Sequence, residues 1–144
     1  SQNCKDTAAV PKKQRRLAGS TIISCEKGDI ASFSAPNGAV INAANGDLKY
    51  GFGTAQALRE AGGDVLDTES AQLMAAYALH NIRSLPAGGA TVTGPGKMQN
   101  YKKIIQAVGP IVHGKASAEQ RYRLQKAYEQ IFRVAEIHGC KKLV

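Results

Sequence analysis

Residues 40–58 read Val-Ile-Asn-Ala-Ala-Asn-Gly-Asp-Leu-Lys-Tyr-Gly-Phe-Gly-Thr-Ala-Gln-Ala-Leu, and the order of residue types along this stretch decides the fold. An apolar start at 39–41 suits a buried strand, and 55–61 suits a helix, so the segment is expected to run strand, polar glycine-rich loop, helix. Such a layout makes an anion cradle. Gly51 and Gly53 let the backbone turn its N–H groups outward with no Cβ in the way, and the helix that follows adds the positive end of its dipole. Asn42 and Asn45 stand just upstream, each with an amide donor and a carbonyl acceptor suited to the hydroxyls of a sugar beside a phosphate. The plain structural use of the same residues is a strand-to-helix turn in which Asn and Gly satisfy turn geometry and nothing more.

Upstream, residues 17–25 contain Thr-Ile-Ile-Ser and are expected to form the first strand. Gly28 is free to take positive φ in the turn that follows, and Asp29 stands where a short helix would want its N-cap. Capping is the structural role for Asp29; the functional one is to accept a hydrogen bond from an exocyclic amine. Residues 36–38 (Pro-Asn-Gly) read as a turn before a strand at 39–43.

Downstream, a helix over 54–61 stops at Gly62 and Gly63. A second spans 64–83, with Val65, Leu66, Leu73, Ala76, Tyr77 and Leu79 as an imperfect apolar face. Strands are expected at 90–93 and 102–108. Ser117 caps a helix to His138, in which Leu124, Ala127, Tyr128, Ile131, Ala135 and His138 follow the helical period, with Gly139 at C′. Residues 141–144 begin another strand. Alternating strands and helices without a hairpin signal give a three-layer α/β/α domain around a mixed, largely parallel sheet. In such sheets ligands sit at the carboxyl ends of strands, where the Asp29 turn and the 45–53 loop are expected to emerge.

Of the 144 residues, 43% are hydrophobic and 21% charged, a globular composition long enough for one domain with a real core. No apolar run reaches the ~20 residues of a membrane span, and no signal-peptide core stands at the start, so placement in nucleus or cytoplasm, with no membrane partner, is expected. Cys4, Cys25 and Cys140 are odd in number and widely spaced, which argues for reduced thiols and against a disulfide framework or zinc site. The net charge of +8 invites a nucleic-acid reading, but half of it lies in residues 1–16. That segment is expected to be a flexible basic tail, serving either as a solubilising linker or in nuclear import or nucleic-acid contact. His80, His113 and His138 are far apart and assigned structural or surface roles; Asp47 and Lys49 are expected to stay solvated, and Tyr101 and Tyr122 to pack.

Gly28-Asp29-Ile30, Asn42-Ala43-Ala44-Asn45, Gly51-Phe52-Gly53, Ala61-Gly62-Gly63 and Gln106-Ala107-Val108-Gly109-Pro110, in this order over roughly 20–144, together resemble the macrodomain family, the ADP-ribose-binding α/β/α module. The resemblance implies that Asp29 accepts from the adenine amino group and the Ile30 N–H meets the adenine ring. It implies further that Asn45 holds the distal ribose, that Asn42 supports the strand end, and that Gly51, Phe52, Gly53 and Thr54 offer N–H groups to the diphosphate. Free ADP-ribose or mono-ADP-ribosylated protein would be the ligand, and no metal or redox cofactor is implied. The alternatives are a hydrolase of low activity using Asn45, or a module that binds poly-ADP-ribose or RNA through its charge. Two departures matter. The middle position of the family's three glycines is Phe52, whose ring must turn away from the diphosphate or narrow the ribose pocket, and the Asp that the hydrolases place at the helix start is Ala55 here. The domain, taken as 17–144, also stops short of the family's second phosphate loop, so a complementing chain or segment is expected to supply the rest, the alternative being a shortened domain with an open, low-affinity pocket.

Overall fold

The computed structural model of the protein describes residues 13–16 and 19–144. Its frame is a three-stranded sheet in the order β3 (Ala35–Ala44), β5 (Tyr101–Val108), β4 (Ala90–Thr93), with β5 parallel to β3 and antiparallel to β4. Residues 142–144 extend it past β3: the Ala39 N–H donates to Lys142 O at 2.9 Å, the Ile41 N–H to Val144 O at 2.7 Å, and the Val144 N–H to Ala39 O at 2.9 Å. The sheet is thus mixed and largely parallel.

Both faces of the sheet are apolar, as a sheet covered on two sides requires. Val40 and Ile104 point to one face and pack with Leu58 of α1 (Thr54–Gly62), Leu66 of α2 (Val65–Ala78) and Met98. Their neighbours Ala39 and Ile105, with Ala107, point to the other and meet Ile131 and Ala135 of α3 (Ala118–Ile137). The alternation follows from the two-residue period of a strand, and it sandwiches the sheet between helices to give three layers. Arg59 near the end of α1 joins the two helices of its layer, reaching Asp64 at 2.7 Å and Asp67 at 2.9 Å. Ser117 caps α3 and Gly139 (φ +66°) follows its end, as the sequence predicts, and Gln120 completes a capping box that the sequence reading does not include.

Four local expectations change. The expected 36–38 turn lies inside β3 as a bulge, where pairing jumps from Ala35↔Tyr101 to Ala39↔Lys103. Gly38 is required there because a Cβ would stand 2.3 Å from Lys142 O. Helix α2 ends at Ala78 and not at 83, since Asn81 turns left-handed (φ +61°) and the Ile82 N–H reaches back to Tyr77 O at 3.1 Å. On α3 only the narrow stripe Ala127, Ile131 and Ala135 is buried; Leu124 and Tyr128, at the stripe's edge, are exposed.

The fourth change is at the basic run. Lys13–Arg16 form a strand, β1, paired antiparallel with β2 (Ile22–Cys25) in a separate hairpin, so this part of the segment read as flexible is backbone-paired. The first strand is correspondingly shorter than 17–25; residues 1–12, 17 and 18 lie outside the described residues. Cys25 is disulfide-bonded, which corrects the expectation of reduced thiols at that position; an odd count does not exclude a single pair. Cys140 is free and buried.

Candidate functional site

Where β3 ends, Asn45 organises the chain. Its Oδ1 accepts from the Asp47 and Lys49 N–H groups, both at 3.1 Å, and its Nδ2 donates to Lys49 O at 3.0 Å. These bonds fold residues 45–49 into a turn whose apolar residue, Leu48, is 2% exposed and held at φ +56°. A bulky residue in left-handed backbone is strained, and here the buried side chain and the Asn45 bonds hold it. The Asn45 carbonyl is fully used, so one Nδ2–H is what remains for a ligand. Asp47 and Lys49 are exposed.

The loop then opens. Gly51, Phe52, Gly53 and Thr54 are all exposed, and a Cβ on Gly51 or Gly53 would meet nothing within 4 Å. Gly53, the N-cap of α1, has φ +72° and ψ −133°, a region open essentially to glycine alone, and no side chain caps the helix. The N–H groups of Gly51 through Gln56 accordingly make no hydrogen bond among the described residues; the first one engaged is Ala57, to Gly53 O at 3.1 Å. Phe52 is 92% exposed, so its ring turns to solvent and leaves the donors uncovered. Ala55 puts no carboxylate at this helix start.

Asp29 serves as the N-cap of the 3-10 turn Ile30–Ser32, accepting from the Ala31 N–H at 3.0 Å and from Ser32 Oγ at 3.3 Å. A carboxylate offers about four lone-pair positions, so the exposed Asp29 caps the turn and retains acceptor capacity. The Ile30 N–H makes no hydrogen bond among the described residues. The turn is fixed from below by β5: Tyr101 Oη donates to Ile30 O, and Asn100 Nδ2 donates to Ala31 O at 2.8 Å and Phe33 O at 2.7 Å. Burial, and secondarily the charge of Asp29, raises the Tyr101 phenol above its ordinary value. These anchors stand at the amino end of β5, while the turn itself follows the carboxyl end of β2 as the loop follows that of β3. Helix α1 connects the two, starting at the loop and packing Leu58 with Ile30 and Phe33 of the turn.

Beneath the loop lies a polar group that the sequence reading assembled only in part. Asn42, 3% exposed, donates from Nδ2 to Gln106 Oε1 at 2.8 Å; Gln106 Nε2 donates to Tyr50 Oη at 2.8 Å and to Thr93 Oγ1 at 3.2 Å. Asn42 is therefore a buried support, and its Oδ1 finds no hydrogen-bond partner among the described residues. Tyr50 was not singled out, and its only signal was an aromatic ring between polar Lys49 and Gly51.

A cavity of about 610 Å³ lies elsewhere, between β2 and residues 141–143 over Phe132 and Glu136 of α3. None of the residues expected to bind a ligand lines it, and the chemistry of an anion site rests with the exposed loop. Among the described residues no cluster of three or more His, Cys, Asp or Glu is placed to hold a metal ion, and no helix is long and apolar enough to cross a membrane.

The family model of the Macro domain matches residues 41–144. An uncharacterized protein of Sulfurisphaera tokodaii is 36% identical over 115 residues, covering 80% of this chain and 57% of that protein. Human protein mono-ADP-ribosyltransferase PARP14 is 34% identical over 127 residues, 88% of this chain and 7% of that protein. A glycine-to-valine mutant of the Oceanobacillus iheyensis macrodomain, solved with ADPR, superposes with a TM-score of 0.78 at 23% identity, over 92% of this chain and 68% of that one. The chain thus spans little more than half of the Sulfurisphaera relative, and a small part of the human one.

Proposed function

Because this chain belongs to the macrodomain family, we propose that it binds ADP-ribose, free or as the mono-ADP-ribosyl group of a protein. The observation that carries the reading is the row of N–H groups from Gly51 to Gln56 that find no partner among the described residues, at a helix start with no side-chain cap, laid open by two glycines. Such donors, with the helix dipole behind them, favour a diphosphate. Asp29 takes the adenine amino group with its spare acceptor capacity, and the Ile30 N–H meets the ring. The remaining Nδ2–H of Asn45 donates to the distal ribose. The diphosphate lies over Gly51, Phe52, Gly53 and Thr54, with the Phe52 ring outside.

Calorimetric titration with ADP-ribose and with single-stranded RNA at two salt concentrations tests this. A pocket gripping one diphosphate loses little affinity with salt, whereas contacts to many phosphates lose it steeply. Saturable ADP-ribose binding that is nearly salt-independent is the expected result. No heat from ADP-ribose at high protein concentration, or salt-sensitive RNA binding alone, would overturn the proposal in favour of a poly-ADP-ribose or RNA module working by charge.

A further inference from the structure

The described residues hold one buried polar chain that no ligand role uses: Asn42 to Gln106 to Tyr50 and Thr93. Its geometry is directional. Gln106 sits on β5, 1% exposed, and spends its acceptor on Asn42 of β3 and its two donors on Thr93 of β4 and Tyr50 of the loop. Three strands thereby fix the orientation of one amide, and that amide holds one loop residue. Tyr50 also packs its ring against the core cluster of Val40, Leu58 and Ile104. Burial pushes the Tyr50 phenol above its ordinary value, an effect partly offset by Gln106, Thr93 and Ser70.

Two turns of chain meet at this point. Before Tyr50 the backbone is pinned by Asn45; after it, from Gly51 to Gly53, nothing within the described residues holds the backbone N–H groups. Loops with few backbone hydrogen bonds are the mobile part of a fold, and two glycines widen the range that this one can sample. A donor array that moves binds less tightly, because ordering it on binding takes free energy from the contact.

We infer that Tyr50 is a positioning residue, which, through its bond from Gln106, sets the height and direction of the Gly51–Thr54 donors above the sheet without touching the ligand. The inference rests on the reading of that loop as the diphosphate site. Removing the phenol oxygen leaves the ring packing in place and frees the loop. Loss of one hydrogen bond of this kind corresponds to about three- to tenfold in affinity, and the loss falls on ligands that reach the loop.

Tyr50→Phe in the full chain is the test, with Gln106→Met as the second variant and the double variant completing a cycle. Backbone NMR order parameters for Gly51 and Gly53, measured without ligand, are expected to fall from the rigid range (~0.85) toward the flexible range (below ~0.6). ADP-ribose is expected to weaken about three- to tenfold and adenosine not at all, and the double variant is expected to lose no more than the weaker single variant, since both act through one bond. Unchanged order parameters, or ADP-ribose and adenosine weakening in step, would overturn the inference. Should the wild type bind no ADP-ribose while Tyr50→Phe still loosens Gly51 and Gly53, the diphosphate reading fails and the anchoring role of Tyr50 stands.

Discussion

Replacing Gly53 or Gly51 by Ala separates two demands that the loop makes on glycine. At Gly53 the backbone has φ +72° and ψ −133°, and an added Cβ would meet no atom within 4 Å. The penalty is therefore conformational and not steric, about 1–3 kcal/mol for an L-residue in that region. For a domain of this size each kcal/mol moves the melting temperature by about 2–4 °C, so Gly53→Ala should melt roughly 2–12 °C lower. Gly51 has neither positive φ nor a neighbour for a Cβ. Gly51→Ala should hold its melting temperature or gain slightly, since the unfolded chain loses freedom. Its Cβ, however, stands between the backbone and an approaching diphosphate, and ADP-ribose affinity should drop about tenfold or more, the equivalent of losing one or two charge-assisted hydrogen bonds. Thermal denaturation by circular dichroism and calorimetric titration of the same samples give both quantities. Gly53→Ala melting with the wild type would refute the strain argument, and Gly51→Ala binding with wild-type affinity would show that the diphosphate does not approach this backbone.

Asn45→Ala removes three hydrogen bonds from the 45–49 turn, so it should lower the melting temperature as well as weaken ADP-ribose more than AMP; equal weakening of the two nucleotides in a titration would mean that Asn45 does not face the distal ribose. With Ala55 in place of a carboxylate, hydrolysis of a mono-ADP-ribosylated protein should be slow, because general-base help is typically worth ~100- to 10,000-fold; release of ADP-ribose at rates typical of dedicated hydrolases, abolished by Asn45→Ala, would contradict this. The phenols of Tyr50 and Tyr101 are raised chiefly by burial. A raised native pKa contributes stability that is present below the unfolded value of about 10 and is lost as pH climbs through the native value. Tyr50→Phe should therefore flatten the alkaline fall in stability, and denaturant midpoints unchanged in their pH dependence would rule the effect out.

Much of the architecture was legible because glycine and capping residues act over a few positions. Gly53 at the start of α1, the Ser117 cap and Gly139 each act locally and need no distant partner, and the structure places them where the spacing does. Asp29 shows the limit of such reading. Its cap is local and legible, whereas the Tyr101 and Asn100 bonds that set the turn's position come from residues about seventy positions downstream. Asn45 was read for a ligand, yet most of its amide serves the turn; a short polar side chain beside its own backbone engages that backbone first. The link between Tyr50 and Gln106 was invisible, because nothing in either neighbourhood specifies the parallel register that puts them together. The bulge at Gly38 was hidden for the same reason, its cause being Lys142.

The strand carrying Val40 has both its neighbours late in the chain. It pairs with β5 on one side and with residues 142–144 on the other, the latter about a hundred residues downstream, and such long loops must close before any contact rewards them. During synthesis, at about 5–20 residues per second, the edges of this strand are therefore made about three seconds or more before either cover exists. Helices α1 and α2 are local and can form meanwhile, but they shield one face of the strand and neither of its edges. The nascent chain therefore passes through an interval in which a strand with apolar residues on both faces stands with unpaired edges, the arrangement that other strands can pair with.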